Sequence, residues 1–196
     1  TVFACSEDEQ DKTTNISKEN SYLLYLAAQS FSEYIKKKYS ETSKDIHIVL
    51  GTDTRPTGKV IAYIFNNVLN NCGITVHYTG ITAAPEIMVF AKKYSGFVYI
   101  SASHNPIGHN GIKFGLADGG VLPGCEANSL AENFKNTVKN YISSDKYQQL
   151  KNIVDKLLAD YNPDDFICNK DDKQNCVNSY FDFTKEVITD SKDLEV

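Results

Sequence analysis

Arginine is nearly absent from this sequence: Arg55 is the only one, and the other nineteen basic residues are lysines. With 25 acidic residues among 196, the net charge is -5, which argues against a nucleic-acid surface or a basic membrane-binding face. No apolar run approaches the roughly 18 residues of a membrane-spanning helix, and no secretory signal segment is visible. Five cysteines (Cys5, Cys72, Cys125, Cys168, Cys176) are present, but no two stand at zinc-ligand or redox spacing. Their odd number and wide spread fit free thiols in a reducing cytosol, so the chain reads as cytoplasmic. There is no Gly-x-Ser-x-Gly elbow, which removes the commonest serine-hydrolase signature. His104 and His109 have no carboxylate at ligand spacing, so they do not form a metal site by themselves. An initiator methionine is also missing, and the last residues run straight on from a helical pattern. Both ends read as those of a piece of something longer.

What is present alternates. Residues 17–39 carry Leu24, Ala27, Ala28, Phe31 and Ile35 at helical spacing, with Ser17 as a candidate N-cap. "DIHIVLG" (45–51) reads as a strand, and "RPTGKVIAYIFNNVLNNCG" (55–73) as a helix with Val60, Ile64 and Val68 on one face and Gly73 as its stop. "ITVHYTG" (74–80) is a second strand, residues 84–96 a helix with Pro85 near its start, and "FVYIS" (97–101) a third strand. This third strand is apolar without alternation, as a central strand buried on both faces is. Strand, helix, strand, helix, strand at this spacing predicts parallel strands with right-handed crossovers. Between Ser101 and the next strand-like run, residues 111–117, there is no room for a crossover helix, so that run returns antiparallel. The expected fold is a three-layer α/β/α sandwich around a mixed four-stranded sheet. Residues 126–141, 146–160 and 176–190 read as further helices. The last carries Val177, Tyr180, Phe181, Val187 and Ile188 as its apolar positions, and residues 162–175 form a polar break. The expected division is residues 1–165 as one domain and 166–196 as a linker and helix leading into a second.

In open α/β sheets, ligands bind beyond the carboxyl ends of the parallel strands. Three loops land there: "GTDTRPTG", "TGITAAP" and "SASHNPIGHNG". The lone Arg55 therefore shares an edge with the polar cluster after the third strand. Ser103 follows a well-anchored strand, so its hydroxyl can be aimed. Antiparallel return brings Lys113 back toward it. A hydroxyl beside an ammonium suits phosphoryl chemistry, because the cation neutralises the phosphoryl group and can exchange a proton with the attacking or leaving oxygen. Local composition alone also allows plainer readings. The Ser103 loop is rich in turn residues. In "GTDTRPTG", Thr54 could cap a helix with Pro56 at its first position, leaving Arg55 in solvent. His47 and His77, inside strands, read as structural.

The run Ser101-Ala102-Ser103-His104-Asn105-Pro106, followed by Asn110-Gly111-Ile112-Lys113, resembles the active-site serine loop of the α-D-phosphohexomutases, the phosphoglucomutase and phosphomannomutase family. "GTDTRPTG" resembles that family's Gly-x-Asp-x-Arg-x-Ser/Thr-Gly loop. The resemblance implies that Ser103 carries the phosphoryl group, that Lys113 is the general acid/base, and that His104 completes the catalytic group. It also implies that Asn105, Arg55 and Asn110 support the site. The implied reaction interconverts hexose 1-phosphate and hexose 6-phosphate, of glucose or mannose, through a hexose bisphosphate that serves as intermediate and activator. Mg²⁺ is the implied cofactor, bound to Ser103 through its phosphate, with three carboxylate ligands outside this chain. The implied partners are the hexose phosphate and three further domains of the same enzyme, with no nucleic acid and no membrane. The chain corresponds to the family's first domain. The opening Ser/Thr-Gly-x-Arg motif, the Asp-Gly-Asp-Gly-Asp-Arg metal loop and the phosphate-binding loop of the family pattern are not in it, so the fragment alone is expected to be inactive. The alternative is a non-catalytic module that keeps the loop as a sugar-phosphate cradle.

Overall fold

The computed structural model describes residues 2–4, 12–41 and 45–190. In chain order the elements are β1 (Val2–Ala4), α1 (Lys18–Lys38), β2 (His47–Thr52), α2 (Gly58–Asn71), β3 (Thr75–Ile81), α3 (Ala84–Ala91), β4 (Gly96–Ile100), β5 (His109–Leu116), α4 (Gly124–Ile142), α5 (Lys146–Ala159) and α6 (Lys170–Asp190). The mixed four-stranded sheet read from the pattern is present as β5-β4-β2-β3, and β1 adds a short fifth strand beyond β5. β2 pairs in parallel with β3 and with β4, while β4 pairs antiparallel with β5, and β5 with β1. β4 is buried along its whole length, as its unbroken apolar run requires at the centre of the sheet.

Strand alternation sorts side chains to two faces. Ile48, Leu50, Val98, Ile100 and Ile112 join Leu24, Phe31 and Ile35 of α1 and Val60, Ile64 and Val68 of α2 in the larger core. Val49, Phe97 and Tyr99 face the other way, against Ile87 and Phe90 of α3 and Cys176 of α6. Each large apolar side chain so buried contributes about 1.5–3 kcal/mol. α4 and α5 form an outer layer, with Leu150 and Val154 resting on Tyr22 and Leu26 of α1. Ser17 caps α1 as its position suggests, its Oγ accepting from the Asn20 amide at 3.1 Å.

Two boundaries differ from the sequence reading. α2 begins at Gly58 after Thr57, not with Thr54 as cap and Pro56 at the first helical position. Residues 53–57 are held out of the helix because Arg55 and Thr57 make tertiary hydrogen bonds to the loop and strand after β4. α6 begins at Lys170, two turns before Cys176, because Asn169 Oδ1 accepts from the amides of Asp171 and Asp172 at 2.8 and 3.2 Å. Its buried positions are Cys176 and Ser179, whereas Phe181 is 57% and Ile188 60% exposed. Polar contacts fasten α6 to β3 and to the turn after α3. Asp172 Oδ1 lies 3.0 Å from His77 Nδ1, and His77 Nε2 lies 3.0 Å from His47 Nδ1. Lys173 Nζ donates to the Ile81 carbonyl at 2.6 Å, and Lys93 Nζ to Ser179 Oγ at 2.8 Å. Both strand histidines are thus satisfied structural groups. Cys72, Cys125, Cys168 and Cys176 are free thiols. No described helix is long and apolar enough to cross a membrane.

Candidate active site

β2 connects through α2 to β3 on one side, while β4 lies on its other side and leads on to β5. Chain segments leaving β2 and β4 therefore diverge, and such a switch point opens a crevice at the strands' carboxyl ends. Thr52 and Ile100 are in register, and the Asp53 amide donates to the Ile100 carbonyl at 2.9 Å. The loops that follow, residues 53–57 and 101–108, are consequently side by side.

Ser103 stands exposed at the tip of this edge and has φ +56°, the one non-glycine positive φ among the described residues. A left-handed serine costs on the order of 1 kcal/mol and persists only where its surroundings hold it. They do so here from several directions. The Ser103 amide donates to Ser101 Oγ at 3.1 Å, and the Ser101 amide to the Gly111 carbonyl at 2.9 Å. Asn105 turns its side chain back into the loop, Nδ2 donating to the Ala102 carbonyl at 2.7 Å.

Arg55 makes the largest set of contacts. Its side chain is only 9% exposed, so the solvent-facing reading of this residue is overturned. The guanidinium donates to the carbonyls of Ser103 at 2.9 Å, Asn105 at 2.6 Å and His109 at 3.0 Å, and also to that of Pro106. Asp53 orients it, accepting from Arg55 Nε at 3.2 Å and from the Arg55 amide at 3.0 Å. A planar fork with five donors matches such a ring of carbonyls in a way an ammonium cannot.

Lys113 comes back on β5, as the short link requires. Its Nζ donates to Ser103 Oγ at 2.7 Å. The ammonium also lies 5.8 Å from the centroid of the Tyr99 ring. Burial, with Asp53 adding to it, raises the Tyr99 phenol above its ordinary range. The phenol remains protonated and donates to the Thr82 carbonyl at 3.0 Å. His104 is exposed next to Ser103 and makes no hydrogen bond to another described residue. Asn110 is fully buried beneath the site: Nδ2 donates to Thr57 Oγ1 at 3.0 Å and Oδ1 accepts from the Gly111 amide at 2.9 Å. Of the six residues singled out from the sequence, Ser103, Lys113 and His104 stand at the open edge, while Arg55, Asn105 and Asn110 hold the loop from below and within. Asp53, Thr57 and Tyr99 were not singled out. The Asp-x-Arg spacing was a usable signal for the first, and the antiparallel return, which sets Tyr99 opposite Lys113, for the last.

The sequence profile of the family described as phosphoglucomutase/phosphomannomutase, alpha/beta/alpha domain I, matches residues 9–141. The chain belongs to this family. Among phosphohexomutase relatives, a phosphoglucosamine mutase of Psychrobacter sp. (strain PRwf-1) is 36% identical over 96 residues, covering 48% of this chain and 21% of that protein. A phosphoglucosamine mutase of Fusobacterium nucleatum subsp. nucleatum is 27% identical over 169 residues, covering 79% of this chain and 33% of the relative. The crystal structure of a protein described as a phosphomannomutase from Thermus thermophilus shares the fold, with a TM-score of 0.53, 23% identity, and coverage of 68% of this chain and 28% of that one. The chain thus spans a fifth to a third of the length of these proteins.

Two features bear on what phosphohexomutase domain I offers here. Among the described residues, no group of three or more His, Cys, Asp or Glu could hold a metal ion, and Asp53 is committed to Arg55. The described side chains therefore do not cluster into a Mg²⁺ site by themselves. A cleft of about 740 Å³ beside Lys113 and Tyr99 is lined by Phe97, Ile112, Phe114 and Phe134. That mostly apolar lining, which Lys113 and Tyr99 share, does not by itself match a sugar phosphate.

Proposed function

We propose that this chain is the phosphoryl-carrying domain of a hexose-phosphate mutase, with Ser103 as the residue phosphorylated in the working enzyme. The observation that carries the reading is the 2.7 Å contact from Lys113 Nζ to Ser103 Oγ, made on a serine held in a left-handed conformation at the sheet's ligand edge. In the proposed step a hydroxyl of the hexose monophosphate attacks the phosphorus of phosphorylated Ser103. The P–Oγ bond breaks, Lys113 gives a proton to the departing Oγ, and the proton lost by the hydroxyl restores the ammonium. The resulting bisphosphate turns over and returns its other phosphate to Ser103 by the reverse path, so that 1-phosphate and 6-phosphate interconvert. A phosphoryl group adds about -1.5 to -2 charges, which the Lys113 ammonium partly offsets. His104, exposed alongside, is placed in this reading as a hydrogen-bond donor to phosphoryl oxygens. Mg²⁺ would supply further charge neutralisation, bound through the Ser103 phosphate and carboxylates from outside this chain; no step here depends on it.

Glucose and mannose phosphates are the proposed substrates. Glucosamine phosphate is added because the two curated relatives named above are phosphoglucosamine mutases. The test uses the intact enzyme carrying this domain. Labelled hexose bisphosphate should phosphorylate the wild type and leave Ser103→Ala unlabelled and inactive. A Ser103→Ala enzyme that still labels and turns over would overturn the mechanism. Phosphorus NMR of the three hexose 1-phosphates with the wild type would rank the substrates.

A further inference from the structure

Tyr99 and Lys113 are paired residues of β4 and β5, so their side chains leave the sheet on the same face. Tyr99 is fixed at both ends. It is 5% exposed, its ring lies in the cluster with Ile87 and Phe90, and its hydroxyl donates to the Thr82 carbonyl at 3.0 Å. Lys113 is the opposite kind of residue. It is half-buried, with a four-carbon stem that would otherwise sample many rotamers. Its Nζ stands 5.8 Å from the ring centroid and 2.7 Å from Ser103 Oγ. A cation at that distance is attracted to the ring's negative face. The anchored ring thus limits where the ammonium can go, and what remains is the direction of Oγ.

We infer that Tyr99 is a positioning residue for proton transfer at Ser103: its ring, anchored through Thr82, is the shelf that holds the Lys113 ammonium over Oγ. This rests on the reading of Ser103 as the phosphoryl carrier. Tyr99 touches neither the phosphoryl group nor the sugar in this account and acts only through Lys113. A core-filling role for Tyr99 would make a different forecast. Any side chain of adequate volume would then serve, and the state of Lys113 would not depend on an aromatic ring.

The test has two arms. In the first, this chain is made with ¹³Cε-lysine, and Lys113 is assigned by its loss in Lys113→Arg. The ε-methylene signals of Lys113 should be shifted upfield by the ring current in wild type and in Tyr99→Phe, and should move to the ordinary lysine position in Tyr99→Leu. Should Tyr99→Leu fail to fold, Tyr99→Met removes the ring with less loss of volume. In the second arm, the intact enzyme carrying Tyr99→Leu or Tyr99→Met should lose roughly 10–100-fold in kcat, the scale expected for a displaced catalytic group, with KM for the hexose phosphate little changed. Tyr99→Phe should recover most of that loss. An unshifted Lys113 signal in wild type, or a ring-less variant with full kcat, overturns the inference. Turnover surviving in Ser103→Ala would instead overturn the phosphoserine reading, and the NMR arm would not depend on that result.

Discussion

The carbonyl oxygen of Ser103 accepts a 2.9 Å hydrogen bond from Arg55, a residue 48 positions earlier in the chain. The same guanidinium reaches the carbonyls of Asn105, Pro106 and His109, so one side chain closes the loop that presents the Ser103 hydroxyl. Removing it takes a charged donor from the carbonyls of Ser103, Asn105, Pro106 and His109 and from Asp53 Oδ2, while the Arg55 amide still reaches Asp53 Oδ1. Arg55→Ala should therefore cost about 2–4 kcal/mol of stability, since breaking a buried charged network strands its partners. Arg55→Lys should recover little of it, because an ammonium cannot span the ring of carbonyls. Urea denaturation measures the loss. Hydrogen exchange should localise the loosening to residues 103–109. Full stability in Arg55→Lys would refute the fork-specific account.

Gly115 is required by close approach. A Cβ there would lie 1.9 Å from Phe97 Cε1 and 2.6 Å from the Gly120 carbonyl oxygen. Gly115→Ala should cost at least about 1–3 kcal/mol, the usual range for overpacking. Phe97→Leu should relieve part of it in the double variant, giving a measurable coupling in a thermodynamic cycle.

The Cys176 thiol is pushed up from 9.0 to about 11, first by burial and then by Glu86, with Lys173 opposing. A pKa raised on folding contributes stability that is whole below the unfolded value and is lost as pH climbs through the folded one. For Cys176 that window runs from about pH 9 to about 11. At neutral pH the thiol is both protonated and buried on the inner face of α6, among Ile87, Phe90 and Tyr99. A thiol reagent followed by peptide mapping should therefore modify exposed Cys125 promptly and Cys176 only when α6 leaves the sheet. Asp172→Ala, which removes the carboxylate holding His77, should speed Cys176 labelling more than Cys125 labelling. Equal labelling of the two thiols in native wild type would contradict the packing of α6.

The 196-residue chain assayed alone should give no mutase turnover and only weak Mg²⁺ binding. It spans 33% of its Fusobacterium relative, and among its described residues there is no cluster to hold the metal. Electrostatic stabilisation of phosphoryl transfer falls when the cations that converge on it are missing. Robust turnover by the purified chain would show that this domain suffices.

Much of the site could be read without coordinates. The unbroken apolar run of β4, the absence of room for a crossover after Ser101, and the order of strands and helices together placed Ser103, Lys113 and Arg55 on one edge. Three things could not be read. The N-terminus of α2 does not follow the local capping chemistry at Thr54 and Pro56, because tertiary bonds to Arg55 and Thr57 prevail over it. The onset of α6 lies inside a run whose polarity reads as a break, because the Asn169 side chain caps it. Asn110 reads as a polar residue at the site, but its side chain is spent entirely on Thr57 and Gly111.

By itself the sequence determined the alternation of elements and the mixed sheet, because these rest on periodicity and connection length, and it carried the family in its local motifs, all of which are written along the chain. Only the tertiary structure decided what the lone arginine does and what stands under Lys113. Both depend on contacts between side chains far apart in sequence, such as Arg55 with the carbonyls of residues 103–109. Such contacts exist only once the β2-β4 and β4-β5 pairings have brought those backbones within hydrogen-bonding distance.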